Sequence, residues 1–144
     1  MSIEAMRKLI KGIGIILFTF LSLTACETDS ETLLTEGVWT FKSMTTDSED
    51  SAIISLVSLG QALLTGATME LQEGGSYILD SPLVENPTTG EWDLIGEDQL
   101  ILDPDNGASS TSRLKTLTED KLSYTEDFVD GQMNPYKVTS TWTK

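Results

Sequence analysis

Few side chains in this sequence could carry covalent or metal chemistry. Cys26 is the single cysteine of the 144 residues, and the chain contains no histidine. A lone thiol has no disulfide partner, and the commonest general base and transition-metal ligand are both missing. No Gly-x-Ser-x-Gly elbow and no phosphate-binding or dinucleotide fingerprint is present. We therefore predict a non-enzymatic protein with no catalytic residue and no cofactor.

Carboxylates are abundant, and two patterns among them bear on acid–base or metal chemistry. Three acidic pairs lie at predicted turns or strand ends, where solvated charge is the expected state, and these are Glu97/Asp98, Glu119/Asp120 and Glu126/Asp127. The turn Asp103-Pro104-Asp105-Asn106-Gly107 places oxygen ligands at spacings found in calcium loops, but the distal bidentate glutamate is absent. Such a turn forms without a metal. We predict no metal site, and calcium binding at 103–107 stays an open alternative.

The surroundings of Cys26 indicate a leader. The basic residues Arg7, Lys8 and Lys11 precede an uncharged, apolar run at 13–23, and small residues follow it. This is the layout of a secretory signal, and the run is shorter than the roughly 20 apolar residues that span a bilayer. A membrane anchor helix or a buried helix is the alternative.

Leu23-Thr24-Ala25-Cys26 resembles the lipobox of bacterial lipoproteins. The resemblance implies cleavage of the signal peptide 1–25 and attachment of fatty acyl groups such as palmitate to the thiol and new amino group of Cys26. Residues 26–35 are then predicted to be an acidic tether. The acidic residues at 27–31 resemble a surface-export signal of Bacteroidota, although a plain linker explains them equally well. We expect a lipid-anchored protein of the bacterial outer membrane, with the cell surface as one placement.

Net charge limits the partners. The formal charge is −14 for the whole chain and −16 without residues 1–25, which hold three basic residues and one acidic residue. Such a surface argues against nucleic acid and against adsorption to anionic membranes. The remaining length suits one domain, predicted at 36–144.

Alternating apolar residues and turn signals predict an all-β domain. Eight strands are expected at 37–44, 67–72, 76–80, 91–95, 99–103, 112–118, 121–127 and 136–143. One helix, at 51–65, lies between strands one and two, with Asp47 or Ser48 as its N-cap. In strand six, Leu114 and Leu117 are three residues apart, which predicts a bulge or an early turn. Hairpin connections favour an eight-stranded antiparallel up-and-down barrel, and a two-sheet sandwich is the rival.

Several short motifs of this domain, taken in order, are similar to those of lipocalin-like domains on Bacteroidota lipoproteins. They are Gly37-Val38-Trp39, Glu73-Gly74-Gly75-Ser76-Tyr77, Gly90-Glu91-Trp92-Asp93-Leu94, Gln99-Leu100-Ile101-Leu102 and Leu117-Thr118-Glu119-Asp120-Lys121-Leu122. The resemblance implies a calyx for small apolar molecules, with Trp39 plugging its closed end. Lipocalins pack an arginine across that tryptophan, whereas the last strand here offers Lys137 and Lys144. The helix after strand one resembles the lid of fatty-acid-binding proteins.

The predicted function is binding of a small apolar or amphipathic molecule inside the barrel. The candidate lining residues are Trp39, Phe41, Leu56, Leu63, Tyr77, Trp92, Tyr124, Tyr136 and Trp142. The same side chains could instead fill the interior, and helix 51–65 could either cover a pocket or complete the core. The alternative function is a filled scaffold whose loops 82–90 and 104–111 contact an envelope protein or a glycan.

Overall fold

The strands close into a single barrel. The computed structural model describes residues 29–144, so Cys26 and the predicted signal peptide lie outside the described residues. The strands are β1 Trp39–Thr46, β2 Thr68–Leu71, β3 Ser76–Asp80, β4 Thr88–Ile95, β5 Gln99–Pro104, β6 Ser110–Leu117, β7 Lys121–Val129 and β8 Pro135–Thr143. Each pairs antiparallel with the next, and β8 pairs back with β1. The predicted eight-stranded up-and-down barrel is therefore confirmed, and the sandwich is not formed.

The loops predicted at 82–90 and 104–111 are shorter than expected. Strand pairing extends into residues such as Gly90 and Pro104, whose types are common in turns. β4 begins at Thr88, which pairs with Leu79, and Gly90 pairs with Pro104 at the end of β5. The loops are thus 81–87 and 105–109. The predicted irregularity of strand six is confirmed, since the register of β6 shifts between Leu114 and Thr116.

Helix α1, Ser30–Thr35, was not predicted from the sequence, which assigned these residues to the tether. It lies across the barrel end where β1 starts. Leu34 is fully buried in the core, and its carbonyl oxygen accepts a hydrogen bond from Trp39 Nε1 at 2.9 Å. The helix therefore closes this end, which we call the closed end.

Lys144 takes the place that the lipocalin resemblance gives to an arginine. Its ammonium nitrogen lies 4.5 Å from the centroid of the Trp39 ring and donates a hydrogen bond to the Leu33 carbonyl oxygen at 3.2 Å. A cation over an indole face is attracted by the ring quadrupole. The last residue of the chain thus ties β8, β1 and α1 together.

Helix α2, Ser51–Leu64, is confirmed between β1 and β2, with a corrected start. Asp50, rather than Asp47 or Ser48, is the N-cap, because its carboxylate accepts from the Ala52 amide at 2.7 Å. The chain leaves the helix through Gly66, whose φ of +80° favours glycine.

Helix α2 lies along the part of β1 that β2 does not reach. β2 has four residues and pairs only with Trp39 and Thr40 of β1. Further along β1, the Met44 amide donates to Gln61 Oε1 of the helix at 3.2 Å. Gly60 allows this close approach, since a Cβ there would lie 3.2 Å from the Met44 sulfur. The helix therefore supplies a hydrogen-bond partner and covers the part of the β1 edge that β2 leaves unpaired.

Candidate binding site at the open end of the barrel

The end of the barrel opposite α1 admits solvent to inward-facing side chains. It carries the connections 47–50, 81–87, 105–109 and 130–134. Inward positions near this end are half-buried, including Thr46, Leu79, Leu102, Glu126 and Tyr136. Inward positions near α1 are fully enclosed, including Trp39, Leu71, Leu100, Leu122 and Trp142. We call this solvent-accessible side of the barrel the open end, and we call its inward-facing surface the cup.

One wall of the cup is polar. β7 and β8 pair Tyr124 with Ser140 and Glu126 with Val138, so these four side chains share the inward face. On the other side of β7, Arg113 of β6 pairs with Thr125 on the outward face. Ser112 of β6 precedes Arg113 and pairs with the buried Leu100 of β5, so it faces inward. We call Ser112, Tyr124, Glu126 and Ser140 the polar wall.

Two buried polar side-chain atoms lack a hydrogen-bond partner within residues 29–144. Ser112 Oγ belongs to the polar wall, whereas Trp142 Nε1 belongs to a side chain enclosed near α1, and the two residues are 1% and 2% exposed. The Trp142 N–H approaches the Tyr124 hydroxyl without reaching hydrogen-bond geometry. Leaving a buried donor or acceptor unsatisfied costs about 1–3 kcal/mol, so such atoms usually contact water or a ligand.

The tyrosine hydroxyls at the cup stay protonated at neutral pH. Burial raises the pKa of Tyr124, and the nearby charge of Glu126 raises it further. Burial also raises the pKa of Tyr77, with added contributions from the charges of Asp103 and Asp105. Both hydroxyls can therefore donate as well as accept hydrogen bonds.

The opposite wall is apolar. Met69 of β2 pairs with Leu79 of β3, and both face inward with Leu102 of β5. The Tyr77 ring packs on Gly90, where a Cβ would lie 2.8 Å from Tyr77 Cε1 and would also collide with the backbone of β5. A small amphipathic molecule could contact hydrocarbon on this side and hydrogen-bonding groups on the polar wall.

The candidate lining residues divide into two groups. Trp39, Phe41, Tyr77, Trp92, Tyr124 and Trp142 are buried in the barrel, and Tyr136 is half-buried. Leu56 and Leu63 were placed wrongly, because they are 62% and 46% exposed on the outer side of α2. The helix turns Ile53, Val57 and Leu64 inward instead.

Sequence reasoning missed the polar members of the site. Glu126 was predicted to be a solvated charge, but it is half-buried on the inward face of β7. Ser112 and Ser140 were not singled out. The signal was present in the alternation Leu122, Tyr124, Glu126, which places all three side chains on one face.

The closed end carries an acidic groove on its rim. The groove has a volume of about 690 Å³ and is lined by Asp29, Ser30, Leu33, Leu94, Gly96, Glu97, Leu117, Thr118 and Glu119. Across residues 29–144, no three histidine, cysteine or acidic side chains come together as metal ligands. At the turn 103–107, one Asp105 carboxylate oxygen accepts a hydrogen bond from Thr89 Oγ1.

No protein-family model matches the sequence, and no curated protein matches it at a significant level. Neither helix in the part of the chain that the structure describes is long and apolar enough to cross a membrane.

Proposed function

We propose that this chain is an envelope lipoprotein, anchored by lipid on Cys26, whose barrel binds a small amphipathic molecule at its open end. The observation that carries the proposal is the cup, in which a polar wall that includes the unpartnered Ser112 Oγ faces an apolar wall. The resemblance to lipocalin-like lipoproteins supports it, because those proteins hold apolar molecules at the corresponding place.

Anchoring through Cys26 suits the geometry of the two ends. Asp29, three residues after Cys26, precedes α1 at the closed end. Three residues span at most about 10 Å, so acyl chains on Cys26 would hold the closed end near the membrane. The open end would then face away from the lipid, where a ligand can reach it.

Two measurements test the proposal. Cells that express the full chain should incorporate radiolabelled palmitate into it, and Cys26→Ser should abolish the label. Absence of label in the unaltered chain would refute the anchor. The Cys26→Ser protein should also bind an uncharged naphthylamine dye in the cup, with a rise in fluorescence that ten-carbon alcohols reverse. If the dye gives no saturable signal, ligand binding is refuted.

Helix α2 favours a second candidate function, an interaction module of the envelope. Leu56, Leu59 and Leu63 recur on its outer side at 46–62% exposure, and no residue of the helix is charged. Leu83 is also exposed, and Ser81 nearby donates to the Leu63 carbonyl oxygen at 2.7 Å. Contiguous exposed apolar residues often mark a protein contact. Leu59→Glu should abolish capture of an envelope protein from intact membranes, and unchanged capture would contradict this function.

A further inference from the structure

Among the described residues, the inward face of the barrel carries a single charge, which is negative. Across residues 29–144, Glu126 is the only charged side chain at an inward-facing strand position. The nearest cations in the register point outward. Arg113 pairs with Thr125 on the outer face and lies 4.0 Å from Asp98, and Lys137 pairs with Asp127.

The rim around this charge is also negative. Asp103 and Asp105 lie at the end of β5, and their charges add to the effect of burial in raising the pKa of the Tyr77 hydroxyl. On another side of the open end, the Asp47 carboxylate accepts from the Lys137 amide at 2.7 Å. The net charge of the whole chain is −14, so the field at the opening favours cations over anions.

The polar wall defines what a ligand's polar group must supply. Ser112 Oγ, which has no hydrogen-bond partner within residues 29–144, can accept or donate a hydrogen bond. The Glu126 carboxylate of the same wall accepts only. A hydroxyl or an amine has a hydrogen to donate to Glu126, whereas a carboxylate has none. A carboxylate would also bring a second negative charge into a half-buried site where none of residues 29–144 supplies an inward-facing cation.

We infer that the cup selects amphiphiles whose polar group donates a hydrogen bond and carries no negative charge, and that it discriminates against fatty-acid carboxylates. This inference rests on the proposed function and names the ligand class of the same site. Glu126 sets the selectivity by accepting the ligand's hydrogen, and the apolar wall at Met69, Leu79 and Leu102 takes the hydrocarbon chain.

A matched series of ten-carbon ligands tests the inference. Decan-1-ol, decylamine and decanoate share one chain and differ in the polar group. At pH 7.5, the alcohol and the amine should displace the uncharged naphthylamine dye at concentrations at least about tenfold lower than decanoate, since like charges at short range repel strongly in a half-buried site.

Two variants with the same change of net charge distinguish the effect of the inward-facing charge from the effect of the overall negative charge of the surface. Glu126→Gln should strengthen decanoate binding about tenfold and weaken decylamine binding, because the inward charge is removed. Asp127→Asn removes the next, outward-facing charge of β7 and should leave the ranking unchanged.

The outcomes separate the inference from the proposed function. If all three ligands displace the dye equally, or Glu126→Gln leaves the preference unaltered, the inference is wrong and binding in the cup stands. If none of the three ligands displaces the dye, the proposed function fails, and the inference fails with it.

Discussion

The two ends of this barrel are built from different residue types and have different roles. At the closed end, α1 and Lys144 cover Trp39, and fully buried leucines surround it. At the open end, buried serine and tyrosine side chains face inward beside the half-buried Glu126 and Tyr136. The closed end buries apolar surface, which is how a small domain gains stability. The polar wall keeps the unpartnered Ser112 Oγ, a cost to stability that fits a binding site.

Truncating an aromatic residue at each end should separate these roles most clearly. Trp39→Ala should lower the free energy of unfolding by about 3–5 kcal/mol, because a large side chain is lost from an enclosed site. Tyr136→Ala at the open end should cost only about 1 kcal/mol, since Tyr136 is half-buried and stacks on the exposed Phe128 ring. Chemical denaturation of both variants measures the difference, and equal losses would contradict the distinction between the ends.

Gly90 should tolerate no side chain, because it supports the Tyr77 ring. Gly90→Ala should destabilise the protein by about 2 kcal/mol, since its Cβ would collide with Asp103, Pro104 and Tyr77. Gly131→Ala is the matched control, because a Cβ there meets no atom within 4 Å. Thermal denaturation of the two variants measures the effect. If the melting temperature of Gly90→Ala equals that of Gly131→Ala, the Tyr77 ring does not pack against the backbone at Gly90.

Alkaline pH should destabilise the protein through the buried tyrosines. The pKa of Tyr124 in the folded state lies above the ordinary value of 10.0, so its contribution to stability is complete below pH 10 and falls as the pH rises further. At pH 11 this loss should be on the order of 1 kcal/mol for Tyr124 alone. Tyr124→Phe should remove that part of the loss between pH 9 and pH 11, as urea denaturation would show. An unchanged pH dependence would mean that Tyr124 ionises freely.

The contact between Lys144 and Trp39 should have the smallest effect. Lys144→Ala should cost about 0.5–1 kcal/mol, the value of an exposed cation–π pair. Lys144→Arg should retain stability, because a guanidinium stacks well on an indole ring. Lys115→Ala, at an exposed outer position, is the control. If Lys144→Ala lowers the free energy of unfolding no more than Lys115→Ala does, the contact between Lys144 and Trp39 does not stabilise the protein.

The strand pattern could be predicted from the sequence because it repeats every two residues and is punctuated by turns. The same two-residue alternation predicted the irregularity after Leu114, because Leu114 and Leu117 are three residues apart rather than two or four. Closure followed from the hairpin connections, which leave edges that only a barrel removes.

The site could be predicted only in part. Helix α2 has apolar residues on most of its circumference, so its sequence does not show which side faces the core, and Leu56 and Leu63 were wrongly turned inward. Glu126 was grouped with Asp127 as a solvated acidic pair, although the alternation along β7 places it on the inward face with Tyr124. Helix α1 has six residues and buries only Leu34, a signal too short to separate from a tether.

The most direct test of the central claim is to fill the cup and measure binding of the uncharged naphthylamine dye. Ser112→Leu puts a large side chain into the polar wall, and Ser112→Val is a smaller version that keeps the fold if leucine is too large. Thr111→Leu places the same side chain on the outer face of β6. The cup account predicts at least about tenfold weaker dye binding for the Ser112 variants, with Thr111→Leu like the unaltered protein. Full dye affinity in a folded Ser112 variant would contradict the claim that the open end of the barrel is the binding site.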